Sequence, residues 1–415
     1  MTETGRRQRH GTVFLVGFLV VLQMFAMFST DMYAPALPSM ADEFQEPESL
    51  VNMTVVLFFA FNIVGMLVFG PVSDKVGRRP VFLLGISLFV VASAGCAMAA
   101  GVWALIALRI VQAIACGGVM SLCLAVVKDS FVGDSRVTVL IVIQGISIVG
   151  PIAAPVIGAQ LLVWFSWRAT FVVLTGLGLI ALGCALVFRE SLKPEDRSDG
   201  SLVASLRGLG RVAKNGRFMV FMLATCAFGA MPFNLYLTAA PFIYEGHFEL
   251  SPQLYSYFFG ATAGLSIIGL VIYRIVANRV PLGRLTTVLI VCSGLTGVGV
   301  LAVGHSSPWW FFAFMLAFQV IGTVVRPYAT NVLLLLQAED TGAASSMIGC
   351  SLSLLGVAAM TPAVLIGGDY MTSLGVLICL GFAISMVLWI LLWRSPSEIP
   401  TIKPGRPDRP GRAGL

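Results

Sequence analysis

The stretch Gly70-Pro71-Val72-Ser73-Asp74-Lys75-Val76-Gly77-Arg78-Arg79-Pro80 decides the fold. It is a short polar turn between two apolar runs, 50–72 and 80–100. Each run reaches the roughly 20 residues that a helix needs to cross a bilayer. Gly70 lets helices approach closely, and Gly77 can take backbone angles that other residues avoid. Asp74 offers a carboxylate to the free N–H groups of a helix start or to a guanidinium. Read as a unit, the turn predicts two spanning helices joined by a latch that ties bundles together at one face of a membrane.

Composition extends this reading to the whole chain. The 415 residues are 58% hydrophobic and only 11% charged, against about 25% charged in a typical soluble domain. The mean hydropathy is +0.92. These values exclude a soluble enzyme, a disordered protein and a secreted disulfide scaffold. Apolar spans are read at 12–36, 50–72, 80–100, 103–127, 137–163, 168–188, 217–243, 253–278, 284–304, 309–337, 343–366 and 373–393. With the N-terminus in the cytoplasm, every Lys and Arg except Arg109, Arg168 and Arg326 falls in a cytoplasmic segment, which is the positive-inside pattern. The net charge of +6 therefore reports topology, and nucleic acid is not expected as a partner. The first apolar stretch is too long for the 7–15 residue core of a signal peptide. All 8 cysteines fall within spans and read as small buried residues; no metal site is expected.

The expected fold is an all-α polytopic membrane protein: twelve transmembrane helices in two pseudo-symmetric six-helix bundles. Residues 1–188 form the first bundle and 217–394 the second. A linker at 189–216 contains apolar residues at helical spacing from Leu202 to Val212, interleaved with Arg207 and Arg211, as in an amphipathic helix lying on the membrane surface. Residues 395–415 read as a disordered cytoplasmic tail. Two six-span halves joined by such a loop are typical of secondary transporters. No P-loop is present, and Gly297-Val298-Gly299 lacks dinucleotide-fingerprint spacing. His10, His247 and His305 are scattered and are assigned no chemistry. No nucleophile–base pair is apparent, so an enzyme is not expected.

Four segments carry a family resemblance. The turn at 70–80 resembles the Gly-x-x-x-Asp-x-x-Gly-Arg-Arg signature of the major facilitator superfamily. Ser29-Thr30-Asp31-Met32-Tyr33-Ala34-Pro35-Ala36-Leu37-Pro38 resembles a run found in the Bcr/CflA-type drug:proton antiporters (bicyclomycin/chloramphenicol resistance). Arg109-Ile110-Val111-Gln112 is similar to the superfamily's Arg-x-x-Gln element. The segment from Gly150-Pro151 to Pro155 and Gly158 is similar to the antiporter motif, with Ala154 and Ala159 where glycines are more usual. Trp164-Phe165-Ser166-Trp167-Arg168 and Ala240-Pro241-Phe242 are also family-like. The resemblance implies two bundles rocking about a central cavity lined by spans one, four, seven and ten. It also implies proton-driven export of small drugs or metabolites from the cytoplasm. By the same resemblance, Asp74, Arg78, Arg79 and Asp129 with Gly70 and Gly77 form a cytoplasmic charge cluster. The localisation implied is the bacterial inner membrane, multi-pass, with both termini cytoplasmic. A monomer is expected, with lipid, protons and a small-molecule substrate as partners, no cofactor, and the proton gradient as energy source. A uniporter or importer on the same fold is the alternative, and a membrane receptor that binds without transporting is a more distant one.

Ionisable residues inside spans cost about 2.5–3.5 kcal/mol each, so their presence calls for a role. Asp31 and Arg109 lie at comparable depth on neighbouring cavity helices. Asp31 reads either as a coupling carboxylate that exchanges a proton or as a helix cap near Pro35. Arg109 reads either as its coupling partner or as a donor to backbone carbonyls. Some related antiporters carry a second acid two turns earlier, where this chain has Gln23. The further cavity candidates are Asn62, Gln112, Asn234, Tyr236, Tyr257, Gln319, Arg326 and Asn331; each can equally bridge neighbouring helices. Phe58, Phe59 and Met27 read as packing or lipid-facing residues. Arg326 departs from the branch, which has small or apolar residues there. Facing the cavity, it favours neutral or anionic substrates over lipophilic cations; otherwise it satisfies a carbonyl freed by Pro327.

Overall fold

In the computed structural model, residues 4–131, 133–192, 195, 197, 210–276, 280, 282–336, 341–366 and 369–394 are described. They form twelve long helical segments. In the first half these are α1 (Thr4–Asp31), α2 (Glu48–Val76), α3 (Arg78–Ala97), α4 (Val102–Ser130), α5 (Gly133–Trp164) and α6 (Arg168–Val187). The second half has α7 (Gly216–His247), α8 (Pro252–Val276), α9 (Leu282–Val303), α10 (Pro308–Leu336), α11 (Thr341–Ile366) and α12 (Tyr370–Arg394). Ten are long and apolar enough to cross a membrane, and α5 and α11 carry shorter apolar stretches, Val149–Trp164 and Met347–Pro362. Every span read from the sequence is met by one of these helices. Most of the predicted surface helix at 202–212 and the whole tail at 395–415 lie outside the described residues; Gly210–Ala213 is helical.

The turn after α2 is built as its residues suggest, with one change of partner. Gly77 takes φ 114°, a conformation open to glycine. The chain thereby reverses into α3 and places Arg78 beneath α2. Arg78 pairs with Asp74 at 2.6 Å and Asp129 at 3.0 Å and donates to the Ser73 hydroxyl. The N–H groups that open α3, at Arg78 and Arg79, donate to Glu190 at 2.8 and 3.1 Å, a carboxylate at a helix N-terminus. Arg79 in turn donates to the carbonyl of Leu186 at the end of α6. Apart from Glu190, at the start of the linker, these partners belong to the first bundle. Among the described residues the cluster therefore ties together the ends of α2, α3, α4 and α6. Among the described residues no residue of the second bundle joins it, since the reversal at Gly77 turns the guanidinium back under its own bundle.

Contacts between the bundles lie toward the opposite face, away from this basic turn. Val56 of α2 packs with Met360 of α11. The Ser256 hydroxyl of α8 donates to the Pro155 carbonyl of α5 at 2.9 Å, and the Gln253 amide donates to the Ala159 carbonyl. On its other side α5 approaches α1 closely. A Cβ on Gly158 would lie 2.0 Å from the Met32 carbonyl oxygen, and one on Gly150 would lie 2.8 Å from Met27. The small residues of the motif at 150–159 therefore wedge α5 between α1 of its own bundle and α8 of the other.

Beyond Asp31 the chain continues through a 3-10 turn, Ala34–Ala36, into a short helix, Leu37–Phe44. This extension is clamped at Glu43, which accepts from the Trp167 indole at 2.6 Å and from Arg168 at 2.5 Å. The Arg168 guanidinium also lies 4.3 Å above the Trp167 ring. At the same face, Asp369 accepts from the backbone N–H of Met371 and Thr372, opening α12, and pairs with His305 at 2.5 Å. Burial opposes its charge, but hydrogen bonds from Thr372, His305 and Met371 outweigh burial and hold the carboxyl at about 2.

Candidate functional site

Arg109 is fully buried in α4. Its Nη1 donates to the Ser29 carbonyl and to Gln112, both at 2.8 Å, and Gln112 donates onward to the Ser93 hydroxyl of α3. Ser29 lies in the last turn of α1, where the final carbonyls have no partner within the helix. The guanidinium also lies 4.2 Å from the Phe58 ring, 4.7 Å from Tyr33 and 5.9 Å from Phe171. Its Nε and Nη2 have no hydrogen-bond partner. Ring faces attract a cation most strongly where water is excluded, so the aromatic cage offsets part of the cost of the buried charge. Phe58, read as packing, is a direct partner of the cation. Tyr33 is held in place by a 3.0 Å hydrogen bond with Thr54.

Asp31 ends α1 two residues beyond Ser29 and is buried. It accepts from the Thr30 hydroxyl at 3.0 Å, and it makes no ion pair with Arg109. The structure therefore places the two residues near each other without pairing them: Arg109 grips the α1 backbone and leaves the carboxyl without a cation.

Several cavity candidates turn out to join helices. Asn62 donates to the Ala113 carbonyl, and its own carbonyl oxygen lies 1.9 Å from where a Cβ on Gly117 would stand. Gln112 supports Arg109. Asn234 donates within α7 and packs against Gly356 of α11. Gln23 is buried on α1. Tyr257 is corrected: at 58% exposure it lies on a stripe with Leu254, Leu265 and Ile268, all exposed. Helical spacing puts this apolar stripe on one outer side of α8, where lipid lies. Asn331 is in α10, but its side chain is outside the described residues.

Arg326 behaves differently. It is exposed. Gln319, seven positions earlier, shares its side. The guanidinium stacks 4.6 Å from the Phe233 ring of α7. Arg326 and Phe233 thus bring α7 and α10 together, with Gln319 on the same side of α10.

A second polar cluster escaped the sequence reading. Tyr236 and Tyr244 of α7 and Tyr255 of α8 are fully buried, and none of their hydroxyls has a hydrogen-bond partner. Oε1 of Glu245 is also buried without one. Glu245 fell outside the span read at 217–243, where it looked like a loop acid. The helix instead continues through a π-turn, Phe242–His247, and carries Glu245 into the protein.

Similarity to known proteins agrees with this architecture. The model of the Major Facilitator Superfamily matches residues 19–361. A chloramphenicol resistance protein of Pseudomonas aeruginosa is 34% identical over 43% of this chain and 42% of its own length. An uncharacterized MFS-type transporter, YdgK, of Bacillus subtilis is 32% identical over 63% of this chain and 65% of its own. The multidrug resistance protein MdtL of Salmonella paratyphi C is 28% identical over 57% of this chain and 60% of its own. The chain thus covers less than two thirds of the length of each of these relatives. Among solved structures, a D-xylose-proton symporter superposes with TM-score 0.72 at 14% identity, covering 94% of this chain and 98% of that one. The human organic anion transporter MFSD10 superposes with TM-score 0.60 at 18% identity, covering 92% and 98%.

The cage makes a prediction. Lysine offers a compact point charge that cannot reproduce the planar stacking of a guanidinium. Arg109→Lys is expected to lower stability by about 2 kcal/mol, and Gln112→Ala by about 1 kcal/mol. Thermal unfolding of the purified protein in detergent measures both. An Arg109→Lys protein as stable as the wild type would contradict the cage.

Proposed function

Because the chain belongs to the Major Facilitator Superfamily, we propose that it exports small drugs or metabolites across the bacterial inner membrane in exchange for protons, by alternating access. The observation that carries this reading is Asp31: a buried carboxyl with no cationic partner, at the end of a helix wedged against the motif helix α5. A permanently ionised carboxylate there is costly, so the group is suited to taking up and releasing a proton as access alternates. The drug-resistance proteins among the relatives support export, and the basic termini and loops support a cytoplasmic location for both ends. No cofactor is needed; the proton gradient supplies the energy. A monomer suffices, since both bundles come from one chain.

Chloramphenicol is a suitable first probe, alongside a wider susceptibility screen in a pump-deleted bacterial host. Cells expressing the protein are expected to accumulate less of a transported compound, and a protonophore is expected to abolish the difference. Asp31→Asn keeps shape and hydrogen bonding but cannot titrate. It is expected to lose concentrative export by at least about tenfold while remaining folded in the membrane. Asp31→Asn exporting against a gradient at the wild-type rate would place the proton site elsewhere.

The substrate preference follows from Arg326. Arg326, an exposed residue whose guanidinium stacks on Phe233, adds positive charge between α7 and α10, and a substrate path beside it disfavours lipophilic cations and favours neutral or anionic compounds. Arg326→Gln is expected to weaken export of the native substrate and to raise ethidium efflux severalfold, about 1 kcal/mol in relative recognition. Wild-type protein that exports ethidium as well as any neutral drug, with the variant unchanged, would refute this preference.

A further inference from the structure

The histidines are scattered in the sequence, but the fold brings two of them together. His247 ends the π-turn Phe242–His247 of α7. His305 lies in the 3-10 turn Gly304–Ser306 between α9 and α10. Both sit at the face opposite the basic turn. Their rings are 5.5 Å apart, centroid to centroid, and stand at 84° to each other. His305 is held through one nitrogen: its Nε2 pairs with Asp369 at 2.5 Å and meets the Thr372 hydroxyl at 3.3 Å. Asp369 is fixed in turn, accepting from the Thr372 hydroxyl at 2.6 Å and from the backbone N–H groups of Met371 and Thr372. Among the described residues, Nδ1 of His305 is left without a partner. The His247 side chain is exposed and makes ring contacts alone, to His305 and to Phe248 at 4.9 Å.

This arrangement has the chemistry of a metal site. Imidazole is the commonest side-chain ligand of transition metals. A ligating histidine usually donates its other ring N–H to a carboxylate, which fixes the tautomer and makes the free nitrogen more basic. Asp369 stands in that position behind His305. Two imidazoles on one tetrahedral zinc, each bonded at about 2.0–2.1 Å, have ring centroids about 5 Å apart. The observed separation of 5.5 Å is close to that spacing. The exposed His247 ring, held only by ring contacts, can turn a nitrogen toward Nδ1 of His305. The His305 side chain is itself partly exposed, so an ion reaches the pair from water. Among the described residues no group of three metal-ligating side chains is present. Water fills the remaining coordination positions, and the ion is held weakly and exchanges.

We propose that His247 and His305 form a two-imidazole site for a divalent transition metal of the zinc type, with Asp369 as the positioning residue that orients His305. The site is independent of the direction of transport and of proton coupling. A bound ion ties the end of α7 to the turn between α9 and α10 and, through Asp369, to the start of α12. The first bundle packs nearby: the short helix Leu37–Phe44 touches the π-turn, and Phe242 of that turn stacks on Tyr370 of α12 at 5.2 Å. The ion therefore stiffens the part of the second bundle that the first bundle rests on at this face.

The probe is Zn2+ alone, added to the purified full chain carrying no histidine tag, with His10→Ala as the background. Calorimetry is expected to show a single site of micromolar affinity, weakened at least about tenfold in His247→Ala and in His305→Ala. Saturating zinc is expected to raise the unfolding temperature of the background protein and not of either histidine variant. Cu2+ in place of zinc gives a second readout, since its paramagnetic resonance spectrum counts the bound nitrogens: two in the background protein, one in each histidine variant. Asp369→Asn keeps an acceptor for the N–H groups that open α12 but loses the charge behind His305. It is expected to weaken zinc about tenfold while leaving the two-nitrogen copper spectrum and the metal-free unfolding temperature in place. No binding at millimolar zinc would overturn the site. Equal affinity in the background protein and both histidine variants would do the same, since it marks an adventitious ion only. Undiminished zinc affinity in Asp369→Asn would overturn the positioning role of Asp369.

Discussion

A cation in the middle of an apolar bundle must be satisfied by protein alone, since no water is available to hydrate it. Arg109 meets this demand with one carbonyl, one amide and the faces of aromatic rings. Those partners come from α1, α2 and the segment after Asp31, with α3 joined through Gln112 and α6 through Phe171. The charge thereby makes α1, α2, α3, α4 and α6 converge on one point. The helix that takes no part is α5, which faces the other bundle instead. The result is a five-helix unit held around one charge, with a glycine- and proline-containing helix at its border.

The same constraint explains the polar residues at each end. At the basic face, Arg78 is buried but finds Asp74, Asp129 and Ser73, so the helix ends there are tied by charge-assisted hydrogen bonds. At the opposite face, Glu43 and Asp369 are matched by Arg168 and His305. Among the described residues, Asp31 stands apart as a buried acid with no cation beside it.

Much of the fold was legible because lipid demands long apolar helices, and the turn at 70–80 announces itself by residue order. The partners of that turn were less legible. Glu190 lies more than a hundred positions from Arg78, and only the folded chain shows that it takes the N–H groups that Asp74 seemed placed to accept. Arg109 was recognisable as costly, but its partners are ring faces, and aromatic residues in a membrane span carry no mark that separates a cage from packing. Tyr257 was misread because a polar tip suggests a cavity, whereas its helical position puts it among exposed apolar residues. Glu245 was missed because the apolar run stops two residues before it while the helix does not.

The central claim is that two bundles alternate access about the interface seen here, closed at the opposite face. Distances between spin labels in membrane-reconstituted protein test it directly. One pair, at Trp164 and Leu254, spans the bundles at the opposite face; a second pair, at Val76 and Arg274, spans them at the basic face. All four positions are exposed. The account predicts two populations at each face that exchange in opposite senses as the pH is changed, one pair lengthening as the other shortens. A change confined to one face, or both faces widening together, would contradict it.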